Sequence, residues 1–218
     1  MSTITLTIDG IKVEAAEGER ILQVALRKDI YIPNLCAIED LDPPFGACRL
    51  CFVEVEGIEK PVASCTVEAI DGMRVRTRSE AVDRLVKSAF ELIMSDHDLD
   101  CKNCVANKAC ELQRIAKERR LSLKPKRLKP LDRERPLDES HPCIVVNPNR
   151  CVLCGRCVHM CGRATEAVSL DFAFRGINTV ITTQMGAPAD IRDCDDCRQC
   201  IEVCPVGALQ PKEGGSRR

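Results

Sequence analysis

"CVLCGRCVHMC", residues 151–161, places four thiols in eleven positions, and "CDDCRQCIEVCP", residues 194–205, repeats the same spacing. Each reads C-x2-C-x2-C-x3-C. A tetrahedral zinc site is built from ligand pairs held apart by a spacer. Here three thiols share one tight loop and a fourth follows four positions on, twice over.

The composition narrows what such runs are for. The chain has 218 residues, a formal net charge of −1, 44% hydrophobic and 30% charged residues, an ordinary globular profile. Aromatics are scarce at 3%, with no Trp and one Tyr, so cores bury little area per residue and another source of organising energy is expected. The sixteen cysteines are that source, as a disulfide framework or as metal ligands. "MSTITLTIDG" shows no basic segment followed by an apolar one, so no signal peptide is expected. No run approaches the ~18 apolar residues of a membrane span. A reducing, cytoplasmic setting and metal or cluster ligation follow from this reading.

The twin runs then fall into the two-cluster bacterial pattern, in which three cysteines of a run hold one [4Fe–4S] cluster and the fourth holds the other. Cys151, Cys154, Cys157 and Cys204 form one ligand set; Cys161, Cys194, Cys197 and Cys200 form the second. Pro205 matches the pattern after its fourth cysteine, whereas Gly162 departs from it without removing a ligand. A two-[4Fe–4S] domain is expected over 141–210, with a frayed tail over 211–218.

Upstream, "TITLTIDGIKVEAAEG" alternates apolar and polar residues on both sides of Asp9-Gly10, a hairpin with a type I′ turn. "ERILQVALRK" sets Ile21, Leu22, Ala25 and Leu26 at helical spacing. A Pro-marked loop follows, then strand-like "FVEVEG", "KPVASCTV" and "DGMRVRTRS", giving a compact α+β domain over 1–78. It contains Cys36, Cys48, Cys51 and Cys65, which keep the central C-x2-C and distant fourth cysteine of plant-type [2Fe–2S] sites but lengthen the first gap. Gly46 and Ala47 are small enough to let backbone N–H groups approach sulfide. Buried core cysteines are the alternative.

From Ser79, a candidate N-cap, "EAVDRLVKSAFELIM" carries Val82, Leu85, Val86, Ala89, Phe90 and Ile93 on one helical stripe. A second helix runs through "ACELQRIAKERR". Between them stand His97, Cys101, Cys104 and Cys110. Three thiols with no fourth nearby call for another ligand, and neutral imidazole is suited to it. The set fits a [4Fe–4S] cluster or a structural zinc ion. If His97 is a ligand, its other ring N–H is expected to bond a carbonyl or carboxylate; Asp96 and Asp98 are adjacent to it, or else simply face water. This helical domain spans 79–120 and is followed by a basic linker, 121–140. Nine Lys/Arg against three Asp/Glu over 117–135 read as a solvated stretch, or as a nucleic-acid dock lacking interleaved aromatics. Cys143 is expected as a small buried hydrophobe, His159 as a neighbour of its loop rather than a ligand, and His141 as exposed.

These sets in this order resemble the iron–sulfur N-terminal region shared by the large iron–sulfur subunit of respiratory complex I, the [FeFe]-hydrogenases and the small diaphorase subunits of NAD-linked hydrogenases and formate dehydrogenases. "IPNLC", "GACRLC" with Cys65, "HDLDCKNCVANKACELQ" and the twin runs ending "CPVGAL" carry the resemblance, from the first hairpin to about Leu209. It implies a β-grasp fold for the first domain and His97 as a true cluster ligand. It also implies one [2Fe–2S] and three [4Fe–4S] clusters, and two partners: a flavin-containing NADH-oxidising subunit and a hydrogenase or formate dehydrogenase catalytic subunit. No G-x-G-x-x-G fingerprint and no [NiFe] ligand set is present in the sequence. The expectation is a conductor of electrons, not a site of substrate chemistry. A multi-zinc structural or nucleic-acid-binding protein and a free-standing ferredoxin-like carrier are the competing readings.

Overall fold

The computed structural model describes residues 2–39, 41–131, 133–141, 143–164, 170–183 and 198–212. The chain divides into two compact units, Met1–Leu92 and Ile93–Arg218.

In the first unit, strands β1 (Thr3–Ile8) and β2 (Ile11–Ala16) precede helix α1 (Ile21–Arg27), and β3 (Phe52–Val55), β4 (Val62–Ala63) and β5 (Arg74–Arg76) complete a sheet of order β2-β1-β5-β3-β4. Only β1 and β5 pair in parallel, Thr7 opposite Arg74 and Ile8 opposite Val75. Asp9 (φ 50°) and Gly10 (φ 83°) join β1 to β2 with positive φ at both central positions, as a type I′ turn requires. The period-2 pattern works as expected: Leu6, Ile8, Val13 and Ala15 turn inward onto α1.

The stripe on α1 is rotated from its expected position. Ile21, Leu22, Val24 and Ala25 are buried, whereas Leu26 is 41% exposed. The buried face centres on Ile21, Val24 and Ala25, and Leu26 lies about 100° past Ala25 on the way out to solvent. Cys51 and Cys65 belong to the same apolar cluster as Val53 and Val75, so part of the cysteine set hangs directly from the sheet's core.

Helix α2 (Glu80–Ser95) crosses the division between the units. Ser79 caps it, its Oγ accepting from the Val82 N–H at 3.2 Å. Val82, Val86 and Phe90 are fully buried along the expected stripe.

The second unit holds a 3₁₀ turn (Cys101–Asn103), α3 (Glu111–Arg119), β6 (Ile144–Val146), α4 (Arg156–Ala164), β7 (Leu170–Ala173), β8 (Val180–Thr183), α5 (Gln199–Glu202) and β9 (Leu209–Pro211). β6 pairs antiparallel with β9, and β7 with β8. Ile144, Val146, Leu170, Ile181 and Leu209 form the core together with Cys157 and Cys161. No helix among the described residues is long and apolar enough to cross a membrane.

Some expectations for this unit need correcting. His141 is 3% exposed, not solvated, and its Nδ1 accepts the Cys143 N–H at 3.0 Å. The bond to the second amide beyond it draws the imidazole inward. The basic stretch is also not uniformly solvated. Lys124, Lys126, Arg127 and Lys129 are exposed, but Leu131 N–H donates to Ser95 O at 2.6 Å. Asn149 clamps Arg135, its side chain accepting from Arg135 N–H at 3.0 Å and donating to Arg135 O at 2.7 Å. Interspersed leucines and side-chain amides give the segment contacts that a charge count does not reveal. Cys143 is half-buried against the core, close to its expected role.

Candidate iron–sulfur centres

The long loop between α1 and β3 carries Cys36, Cys48 and Cys51, and Cys65 follows β4; all four are buried. They assemble as two pairs. Cys36 Sγ donates to Cys48 Sγ at 3.4 Å, and Cys51 is hydrogen-bonded to Cys65. The bond from Cys36 holds the Cys48 thiol down to about 6 against the opposing effect of burial, and the bond from Cys65 lowers Cys51 likewise. Backbone amides reinforce this: Leu35 N–H reaches Cys48 Sγ and Cys48 N–H reaches Cys36 Sγ, both at 3.4 Å. Arg49 sits in the left-handed region (φ 54°) between Cys48 and Leu50, whose amide also bonds Cys48. N–H groups aimed at sulfur favour the anionic thiolate that iron needs. Two close thiol pairs suit two iron atoms, so the donor set fits a [2Fe–2S] group.

His97 follows α2, Cys101 opens the 3₁₀ turn, Cys104 closes it, and Cys110 occupies the N-cap of α3. Burial pushes the Cys110 thiol up, while the Gln113 and Leu112 amides of the first turn of α3 pull it down. Burial also holds the His97 pKa below its usual value, opposed by the Asp98 charge, which favours the neutral ring. Its Nδ1 is buried without a hydrogen-bond partner. A neutral imidazole with an orphaned nitrogen, beside three thiols, fits a cluster that lacks a fourth thiolate. Among the described residues, no three His, Cys, Asp or Glu side chains gather closely enough to chelate a single ion.

Cys151, Cys154, Cys157 and Cys204 line one small cavity together with Val146, Val152, Ile181, Val206 and Leu209. The fourth thiol thus comes from the distant run, next to the three of the first. Leu153 (φ 52°) and Gly155 (φ 77°) bend the loop through left-handed conformations, and Leu153 N–H meets Cys151 Sγ at 3.4 Å. Ala208 N–H meets Cys204 Sγ at 3.3 Å. Burial pushes the Cys151 thiol up to about 12 and raises Cys157 as well, with the neighbouring thiols adding to both. Four thiolates in an apolar pocket need compensating cations, which a bound iron–sulfur group supplies. In the remaining set, Cys161 on α4 and Cys200 on α5 lie against the same core, where the two helices pack together. Cys194 and Cys197 lie outside the described residues.

The arginine partners of the carboxylates beside His97 went unrecognised in the sequence. Asp96 does not simply face water: it pairs with Arg135 at 3.3 Å and Arg133 at 3.5 Å. Asp98 donates its backbone N–H to Asn149 O at 2.8 Å. The only available signal was position: Arg150 stands immediately before Cys151. Segment 204–208 meets the His97 set as well. Glu111 N–H donates to Pro205 O at 2.9 Å and Cys104 Sγ to Val206 O at 3.8 Å.

Known families account for these centres in the same order. Residues 1–80 match the 2Fe-2S iron-sulfur cluster binding domain, 87–122 the NADH-ubiquinone oxidoreductase-G iron-sulfur binding region, and 141–210 the NADH-quinone oxidoreductase subunit 3, ferredoxin-like domain. NADPH-Fe(3+) oxidoreductase subunit alpha of Geobacter sulfurreducens is 34% identical over 96% of the chain and 24% of its own length. NADP-reducing hydrogenase subunit HndD of Solidesulfovibrio fructosivorans is 33% identical over 98% of the chain and 37% of its own length. The chain therefore spans well under half of these curated relatives. A chain in the crystal structure of NAD+-reducing [NiFe]-hydrogenase in the H2-reduced state superposes with a TM-score of 0.82 at 30% identity, over 100% of this chain and 91% of that one. Fold and sites together define an iron–sulfur protein. The chain belongs to the family of iron–sulfur subunits represented by that hydrogenase chain and by the NADH-quinone oxidoreductase domains it matches.

Proposed function

We propose that the chain is an electron-transfer subunit that relays electrons between a flavin-containing, NAD(H)-handling subunit and the catalytic subunit of a hydrogenase. The likeness to a chain of NAD+-reducing [NiFe]-hydrogenase over its whole length carries this reading. We assign Cys36, Cys48, Cys51 and Cys65 to one [2Fe–2S] cluster on a β-grasp domain, 1–78, supported by the mixed sheet with its parallel β1–β5 pair. His97, Cys101, Cys104 and Cys110 hold a [4Fe–4S] cluster on a helical domain, 79–120. Cys151, Cys154, Cys157 and Cys204 hold a second and Cys161, Cys194, Cys197 and Cys200 a third on a ferredoxin-like domain, 141–210. The complex is cytoplasmic in this reading.

When bound, the clusters supply one-electron carriers. The chain's own residues hold them in apolar surroundings, aim amide N–H groups at the ligating sulfurs, and so fix their spacing and potentials. Anaerobically purified protein is expected to be brown, with iron and acid-labile sulfide each near ~14 per chain. About four zinc ions in a colourless protein would refute the proposal. Co-purification from the native host identifies the partners: a hydrogenase subunit is expected, and a formate dehydrogenase subunit in its place would reassign the complex.

A further inference from the structure

Arg150 touches one ligand set through its side chain and adjoins another through its backbone. Its backbone leads directly into Cys151, while its side chain turns back toward the His97 set. Nη1 donates to Asn103 O, inside the Cys101–Cys104 loop, at 3.4 Å. Nε lies 3.8 Å from Asp98 Oδ2, and Nη2 lies 4.0 Å from Asp100 Oδ2. All three contacts are to residues 98–103.

Exposure makes the pairing unequal. The Arg150 side chain is 12% exposed, whereas those of Asp98 and Asp100 are 48% and 43% exposed. The charge of Asp98 opposes that of Arg150 at His97, and water and salt screen both exposed carboxylates. The ion-pair distances are also long for charge-assisted bonds, and Nε has no hydrogen-bond partner. This buried guanidinium projects positive potential onto the loop carrying Cys101 and Cys104.

We propose that Arg150 sets the reduction potential of the cluster held by His97, Cys101, Cys104 and Cys110, its buried charge favouring the reduced form. The inference rests on the proposed function, since it requires a cluster at that set. Reduction adds one electron to the cluster, and the nearby fixed cation offsets the added negative charge without moving. Arg150 does not touch iron in this role; it is a positioning residue that acts through the field at the ligand loop.

Arg150→Gln keeps a donor for Asn103 O and removes the charge, and Arg150→Lys keeps the charge on a different head group. Both are compared with the unaltered full chain in anaerobic redox titrations followed by EPR. The midpoint potential of the His97 cluster is expected to fall in Arg150→Gln and to stay close to that of the unaltered chain in Arg150→Lys. The cluster of Cys151, Cys154, Cys157 and Cys204 is expected to move less. Equal potentials in the Gln variant and the unaltered chain would overturn the proposal. Loss of the His97 cluster from Arg150→Lys would overturn it too, by assigning the residue a structural role. A separate outcome tests the underlying reading: an unaltered chain that shows no [4Fe–4S] signal at all would overturn both.

Discussion

His97 shows how far one side chain is shaped by its surroundings. An imidazole in water is partly protonated near neutral pH, but here burial shifts the ring toward its neutral form and Nδ1 lacks a partner. At the ligand position proposed for His97, His97→Cys would replace a neutral imidazole with an anionic thiolate. The added negative charge disfavours the reduced cluster, so the midpoint potential is expected to fall, in the direction seen when His and Cys ligation are compared in [2Fe–2S] centres. An EPR-monitored titration reads this directly, and an unchanged potential would show that His97 is not a ligand. The residue's candidacy was legible in sequence from three thiols lacking a fourth. Its setting was not, because the partners of Asp96 come from Arg133 and Arg135, residues that a charge count assigns to a solvated stretch. His141 misled for a related reason: polarity alone suggests exposure, but a single amide hydrogen bond and local packing bury it.

At the scale of elements, the Cys101–Cys110 loop and segment 204–208 meet closely. Gly207 adopts φ 70°, and a Cβ there would lie 2.8 Å from Ala106 Cβ and 3.1 Å from the Ala106 backbone N. Gly207→Ala therefore forces backbone apart while straining its own conformation, at a cost of roughly 1–3 kcal/mol. Thermal unfolding should show the loss, with the His97 cluster becoming more labile to oxygen. A variant as stable as the parent would mean that the loop yields freely. Strands and helices were legible because their periods are local: the Asp9-Gly10 turn, the Ser79 cap and the stripe on α2 all stand where the pattern puts them. Contacts between loops carry no such period. Nothing in "CPVGAL" announces that its glycine will face Ala106, so the junction emerges only in three dimensions.

At the scale of the whole molecule, the proposed ligand sets are non-local. Cys204 shares a cavity with Cys151, Cys154 and Cys157 although its own run contains three nearer thiols. Cys204→Ala is expected to damage the cluster of the first run and to spare the one assigned to Cys161, Cys194, Cys197 and Cys200, as resolved by EPR and iron content. Loss of the second in its place would refute the crossed arrangement. The parallel β1–β5 pair has an equally non-local consequence, which concerns synthesis. β1 is made first, but its partner begins at Arg74, after Cys36, Cys48, Cys51 and Cys65 have all been made. On the ribosome, a nascent chain long enough to contain the full thiol set still lacks the strand that closes its sheet. Those thiols therefore meet the cell's iron-delivery machinery, or its oxidants, before the fold that buries them exists.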